Sequence, residues 1–456
     1  MANRRIPVAG LSAVLRRREF RYLFLGVTIS RCGDVMTAVV ISWLALRAAG
    51  PQALGLVALA GGLVRAAAAP VAGHLLDRLG PRILMLADNL GRGLLMTALA
   101  CIAWSGQVAI GLLIGFAVAA ALLSPATEVG QAMVTPRLVR PGELDAACRL
   151  LSGSWSASAS LGPAMAGLAM GIIGAGPVLL IDAATFFLMA VVATLLPGRP
   201  DQASRNSAAS QPGLPARARL MSGFVLLWQM RVLAVLTLVS VGMLFLDGMT
   251  ELFLPAFTRL VLHQGPAQYG LLVSVSGLAA LAGTFLVAPL AGWLRPGPGL
   301  AVLLVTRAAL IVPLALARSW LAGAVVIAAA ALPDGAVYPI LAAARQRLIP
   351  AAVAGRVQGA QSALSAAGFP LGSAVGGILA AGPGVPVLAV VLAAGYLPLA
   401  VLSCAFRGAR LSADSPGTGR GSDDRADRLG PALAGEPGGH RGPDPQFALG
   451  RDQRDD

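Results

Sequence analysis

From about residue 22 to 406 the chain alternates long runs of Ala, Leu, Val and Gly with short polar interruptions. Many runs reach about 18 residues, and a helix rising 1.5 Å per residue then crosses a hydrocarbon core of roughly 30 Å. The pattern predicts spans at 22–46, 52–76, 83–104, 107–131, 150–174, 177–197, 232–256, 268–293, 299–317, 320–346, 357–381 and 386–406. The first run starts too late and continues too long for a cleavable signal peptide. Twelve spans put both termini on one side. The longest interior interruption, 198–231, opens polar and rich in Pro and Ser, as a flexible linker does. An N-terminal arm (1–21) precedes the spans. A Gly-, Pro-, Asp- and Arg-rich tail (407–456) follows them and reads as disordered.

The two halves of the pattern echo each other. "APVAG" (69–73) ends the second span and "APLAG" (288–292) the eighth. "RLVRP" (137–141) follows the fourth and "RLIP" (347–350) the tenth, while "LGPAMAG" (161–167) and "LGSAVGG" (371–377) fall in the fifth and eleventh. The expected fold is therefore an all-α integral membrane protein. Its six-helix bundles, 22–197 and 232–406, are related by a pseudo-twofold along the membrane normal. Secondary transporters use this architecture, with a substrate site between the bundles near the midplane.

Composition agrees with lipid as the solvent: 56% of residues are hydrophobic and 12% charged, against about 25% charged in soluble domains. All 35 basic residues are Arg. Without Lys there is neither a P-loop nor a lysine Schiff base. The net charge of +14 reflects sidedness rather than nucleic-acid binding. Of the arginines, 28 fall in the termini and the even-numbered connections, and only Arg47, Arg259 and Arg318 in the odd ones. The positive-inside rule then places both ends in the cytoplasm. Four scattered Cys and three distant His form no metal or disulfide pattern. No cofactor is expected, and no nucleophile–base pair suggests an enzyme.

Charges inside the spans carry the functional content. A carboxylate at mid-membrane costs about 2.5–3.5 kcal/mol on insertion scales, so it lines a cavity or finds a partner. Asp34 and Asp334 are expected near mid-membrane and Asp247 somewhat toward the outside. The rival to a proton-carrying role for Asp34 is a static pair with Arg31, one turn away on the same face, or with Arg65 in span 2. Asp88 and Arg92, four apart, are expected to pair. Arg307 suits an anionic group or a position snorkelling to the interface. Glu251 and Asp182 are expected at the outer boundary, solvated.

The stretch "GHLLDRLGPR" (73–82) resembles the loop motif G-x-x-x-D-R-x-G-x-R of the major facilitator superfamily, met by Gly73, Asp77, Arg78, Gly80 and Arg82. Span 5 is similar to its antiporter motif, with Gly162, Pro163 and Gly167 in place and Ser158 and Ala166 in place of two glycines. "FRYLFLGVTISRCGD" (20–34), "PRLVRPGELDAACRL" (136–150) and "AGRVQG" (354–359) resemble the branch of macrolide-efflux and enterobactin-exporter-like proteins. The resemblance implies that spans 1, 4, 7 and 10 line the cavity, which brings in Asp34, Asp247 and Asp334 as proton carriers. It also implies a cytoplasmic latch in which Asp77 meets the start of span 11 beside Arg356, with Glu128 holding Arg78 in reserve. A helix-end contact of that kind reaches about 2 kcal/mol.

The expected activity is export of an amphipathic small molecule in exchange for protons. The setting is a bacterial-type inner membrane, with no partner beyond substrate, protons and lipid, and the expected state is a monomer. An importer or symporter, or a membrane protein that binds without transporting, stays open on the sequence.

Overall fold

The computed structural model describes residues 9–106, 108–196, 224–291, 296–349 and 354–404. Within them are eleven helices long and apolar enough to cross a membrane. The first, Arg18–Leu79, is two spans fused across a break at Ala49 and Gly50. Gly50 has φ 78°, a left-handed conformation that a Cβ disfavours and glycine tolerates. This gives span 1 (18–48) and span 2 (51–79), and twelve spans in all. Span 3 is Pro81–Trp104, span 4 Ile110–Leu138, span 5 Leu144–Ile173 and span 6 Ala175–Leu195. Span 7 is Arg231–Val261, span 8 Pro266–Ala291 and span 9 Pro296–Ile311. Span 10 is split into Trp320–Ala331 and Asp334–Leu348, and spans 11 and 12 are Ala354–Ala381 and Val385–Cys404. Most ends lie within a few residues of those expected. Spans 4 and 5 run further on their 4–5 side, as does the end of span 7, and span 9 stops short at Ile311. The linker from 197 to 223 and the tail from 405 lie outside the described residues.

Lipid explains both helices and surface. With no water to bond to, a spanning backbone must satisfy its own N–H and C=O groups, which a helix does. Leu94, Ile172, Phe285 and Val401 stand 65% to 83% exposed. That much apolar surface would be a liability in water and is ordinary against acyl chains.

The packing has the symmetry of a duplication. Span 3 packs on span 6 as span 9 packs on span 12. Gly162 of span 5 abuts Val35 of span 1, as Gly372 of span 11 abuts Phe245 of span 7. Between the bundles, span 5 packs on span 8 and span 11 on span 2. Exchanging the halves maps this set onto itself, as a twofold axis along the membrane normal requires.

The bundles meet through small residues. A Cβ on Gly167 would stand 2.5 Å from the Pro266 carbonyl and 2.9 Å from Gly270 Cα; one on Gly377 would stand 2.9 Å from the Pro51 carbonyl. Only glycine lets the backbones approach so closely. All these contacts lie toward the end carrying the 1–2 and 7–8 connections. Toward the opposite end Gly153 of span 5 and Gly359 of span 11 have nothing within 4 Å of a Cβ position. The molecule is closed at the first end and open at the second. A stacked pair, Trp43 of span 1 on Tyr269 of span 8, bridges the closed end with ring centroids 5.9 Å apart.

Candidate functional site

Among the described residues each bundle encloses one buried arginine. In the first, Arg92 of span 3 donates to Asp88 Oδ1 through Nε at 2.8 Å and to Asp34 Oδ1 through Nη1 at 3.0 Å. Its guanidinium lies 4.3 Å from the centroid of Phe186 in span 6. In the second, Arg307 of span 9 pairs with Asp334 of span 10, approaches Asp247 of span 7 at 3.7 Å, and lies 4.7 Å from the ring centroid of Tyr396 in span 12. The two centres are quasi-equivalent: an arginine from the third helix, a carboxylate from the first, an aromatic face from the sixth.

The sequence marks this equivalence once the geometry is known. Asp34-Val35-Met36-Thr37 and Asp247-Gly248-Met249-Thr250 are the same D-x-M-T string. Asp34 and Asp247 each stand sixteen residues in from the start of their helices, Arg18 and Arg231. At 1.5 Å per residue both lie about 24 Å in. Asp247 is therefore as deep as Asp34, not displaced toward the outside.

The centres differ in their second acid. Asp88 lies one turn before Arg92, fully buried, and accepts hydrogen bonds from the Thr127 N–H at 3.1 Å and from the Thr127 hydroxyl. Asp334 instead begins the second segment of span 10, just after Pro333. Pro333 and Gly335 flank this break in span 10, and a carboxylate at a helix N-terminus is favoured by the helix dipole. Tyr338 donates its hydroxyl to Asp247.

Exposure separates the acids. Asp88 is 0% exposed, whereas the side chain of Asp34 is 42% exposed and has Arg65 and Glu128 within electrostatic reach. Arg65 of span 2 and Glu128 of span 4 form a half-exposed ion pair in the same bundle. Arg31 donates to the Leu151 carbonyl at 2.8 Å and, more weakly, to Gln131 Oε1 at 3.3 Å.

Several expected pairings are thereby corrected. Asp34 is held by Arg92, not by Arg31 or Arg65, because Arg31 turns to span 5 and Arg65 to Glu128. Glu128 is engaged by Arg65 rather than kept for Arg78, which is exposed, as is Arg82. Asp182 is completely buried rather than solvated: it accepts from the Thr37 hydroxyl at 2.6 Å and packs against Gly33. Glu251 faces an internal cavity rather than the outer boundary. The Asp88–Arg92 pair stands as expected, but Arg92 also reaches span 1. The side chains of Asp77 and Arg356, and the surroundings of Gly73, lie outside the described residues. Gly80 has φ 80° and Pro81 opens span 3, which makes the tight turn of that motif. Gly162, Pro163 and Gly167 form the faces that span 5 turns to spans 1 and 8. Among the described residues no group of three His, Cys, Asp or Glu could hold a metal.

Comparison with known proteins fits this geometry. The model of the Major Facilitator Superfamily matches residues 23–368. An uncharacterized MFS-type transporter, y4rN of Sinorhizobium fredii, is 25% identical over 372 residues, covering 78% of this chain and 87% of that one. Solved structures share the fold at low identity. A bacterial homologue of the iron transporter ferroportin in an inward-facing state has TM-score 0.66 at 17% identity, covering 86% of this chain and 99% of the other. A bacterial homologue of the human lysosomal transporter Spinster, inward-facing and unoccupied, gives 0.63 at 14%, covering 86% and 96%. The nucleoside transporter NupG gives 0.66 at 13%, covering 86% and 100%.

Proposed function

The chain belongs to the major facilitator superfamily and is a multi-pass membrane transporter, and we propose that it exports an amphipathic small molecule from the cytoplasm in exchange for protons. Both termini then lie in the cytoplasm of a bacterial-type inner membrane, as the arginine distribution favours. The open end faces the cytoplasm and the glycine-packed end the outside. Substrate of the antibiotic, siderophore or secondary-metabolite kind, the cargo that the branch resemblance suggests, enters the gap from the cytoplasm or inner leaflet. The cavity lies within one chain, so a monomer suffices.

The observation that carries this reading is Asp34: a carboxylate 42% exposed, bonded to an arginine only 9% exposed. In this reading the open face of the carboxylate looks into the gap between the bundles. Breaking a buried ion pair is costly when it strands a charge. Here Arg92 keeps Asp88 when Asp34 takes up a proton, and Asp88 keeps Thr127. Protonation thus frees span 1 from span 3 without leaving a bare charge in the bundle. Asp247 and Asp334 are second carriers on the same design, with Arg31 and Arg65 on the walls. Asp77, Arg78, Gly80, Arg82 and Arg356 remain the proposed latch that closes the cytoplasmic end in the outward-open state.

The test uses inside-out vesicles acid inside, loaded by the full chain. Export by exchange gives gradient-driven ethidium accumulation that collapses with a protonophore and is lost in Asp34→Asn. Accumulation unaffected by the protonophore would show that movement is not proton-driven.

A further inference from the structure

The duplication that produces the two arginine centres is broken one residue beyond them. After D-x-M-T, the first bundle has Ala38 and the second Glu251. Both line one cavity of about 160 Å³ between the bundles, with Ile41, Ser42, Val57, Phe369 and Ser373. Spans 1 and 2 supply one side of it, and spans 7 and 11 the other. Ser42 lines the cavity and is hydrogen-bonded to Tyr269, so the cavity borders the stacked pair that bridges the closed end.

Among the described residues Glu251 has no counter-ion. The ion pairs among the described residues assign Arg307 to Asp334 and Asp247, Arg65 to Glu128 and Arg92 to Asp34 and Asp88, and none to Glu251. Among the described residues no hydrogen bond to its carboxylate is present either. The nearest turn of its own helix carries another acid, Asp247, on the same face. The remaining walls are largely apolar, with hydroxyls at Ser42 and Ser373. The fold needs no acid at this position, since Ala38 fills the equivalent one. A carboxylate without a partner in an apolar chamber is costly unless a cation arrives to meet it.

We propose that Glu251 is the charge-selecting group of the transported molecule, and that the substrate is a lipophilic monocation whose positive centre docks at this carboxylate while its apolar body lies against Ile41, Val57 and Phe369. The proposal rests on the export reading for what the site is used for, but binding itself needs no proton gradient. The cation sits one helical turn from Asp247 and against the closed gate, so the bundle that holds Arg307 reads its arrival directly.

The test is equilibrium binding to the purified full chain in lipid nanodiscs, using tetraphenylphosphonium and its anion of similar shape, tetraphenylborate. Wild type is expected to bind the cation and to bind the anion at least about tenfold more weakly, because the two differ chiefly in the sign of charge. Glu251→Gln keeps the side-chain shape and is expected to weaken the cation by roughly tenfold or more while removing the discrimination. Glu251→Asp keeps the charge and is expected to retain discrimination, and both variants should elute as wild type does. Equal affinity for the two ions, an unchanged cation affinity in Glu251→Gln, or no cation binding to wild type would each overturn the proposal. Loss of binding in Glu251→Gln with no proton-driven accumulation in vesicles would leave the cation site standing and remove the exchange reading. Normal Asp34-dependent exchange with unchanged binding in Glu251→Gln would do the reverse.

Discussion

Arg92 joins Asp34 at 3.0 Å and Asp88 at 2.8 Å, so one guanidinium serves a partly exposed acid and an acid sealed in the bundle. The two carboxylates should therefore answer mutation differently. In Asp34→Asn the arginine keeps Asp88, and folding stability is expected to change by no more than about 1 kcal/mol while proton-driven transport is lost. Arg92→Met leaves Asp88 buried with Thr127 as its remaining hydrogen-bond donor, at a cost of about 3–5 kcal/mol. Thermal unfolding in detergent and vesicle transport, measured side by side, check this. A destabilised Asp34→Asn with intact transport would invert the assignment.

Gly270 faces Pro163 and Gly167 across the bundle interface, whereas Gly171 has only Ala267 Cβ at 3.6 Å from where its own Cβ would stand. Gly270→Ala drives a methyl into backbone that cannot swing aside. Overpacking of this kind costs about 1–3 kcal/mol, enough to move a two-state equilibrium roughly tenfold. The expected result is a population shifted away from the closed form and slower turnover, read by spin-label distances between spans 5 and 8. Gly171→Ala is expected to behave as wild type.

Outside the membrane, Arg17 donates to Glu143 Oε2 at 2.7 Å and ties the N-terminal arm to the 4–5 connection. The Arg17 hydrogen bond, helped by the Arg140 N–H, holds the Glu143 carboxyl below its ordinary value. A carboxyl depressed in the folded state contributes above its unfolded pKa and loses that contribution as pH falls through the folded one. The arm is therefore expected to stay docked at pH 7 and to loosen only below about pH 4. Hydrogen exchange of residues 9–21 measures it. Glu143→Gln should show the loosened exchange at neutral pH.

The spans were legible because lipid imposes length and apolarity, and both can be counted. The glycine faces were legible as motifs, since close approach restricts a position to one residue type. The arginine centres were not. Arg92 and Arg307 lie in the third helix of each bundle and act on the first, and helical spacing reports only neighbours on one helix. The D-x-M-T repeat that marks them is four residues long and hidden among Ala- and Gly-rich matches. Glu251 was placed at the membrane boundary because span 7 was ended at 256. The helix in fact continues through a π turn at Phe257–Val261, which sets Glu251 ten residues, or about 15 Å, from its end.

Trp43 and Tyr269 are 6% and 1% exposed, and their near-parallel rings span the two bundles at the closed end. Such a pair contributes about 0.5–1.5 kcal/mol beyond its buried area. Because it forms only when the bundles meet, that energy belongs to one conformer and biases the equilibrium by a factor of roughly 2 to 12. Trp43→Ala is expected to raise the fraction open at this end by about that factor, and more if the lost burial also counts. The measurement is labelling of Ser42→Cys by a membrane-impermeant maleimide, with Cys32, Cys101, Cys148 and Cys404 changed to Ser. Ser42 lines the chamber behind the pair and is hydrogen-bonded to Tyr269, so the rate in Trp43→Ala is compared with a Ser42→Cys parent that shares the loss of that bond. A rate no faster in Trp43→Ala than in the parent would mean that the glycine contacts of spans 5, 8, 2 and 11 hold this end shut without the aromatic pair.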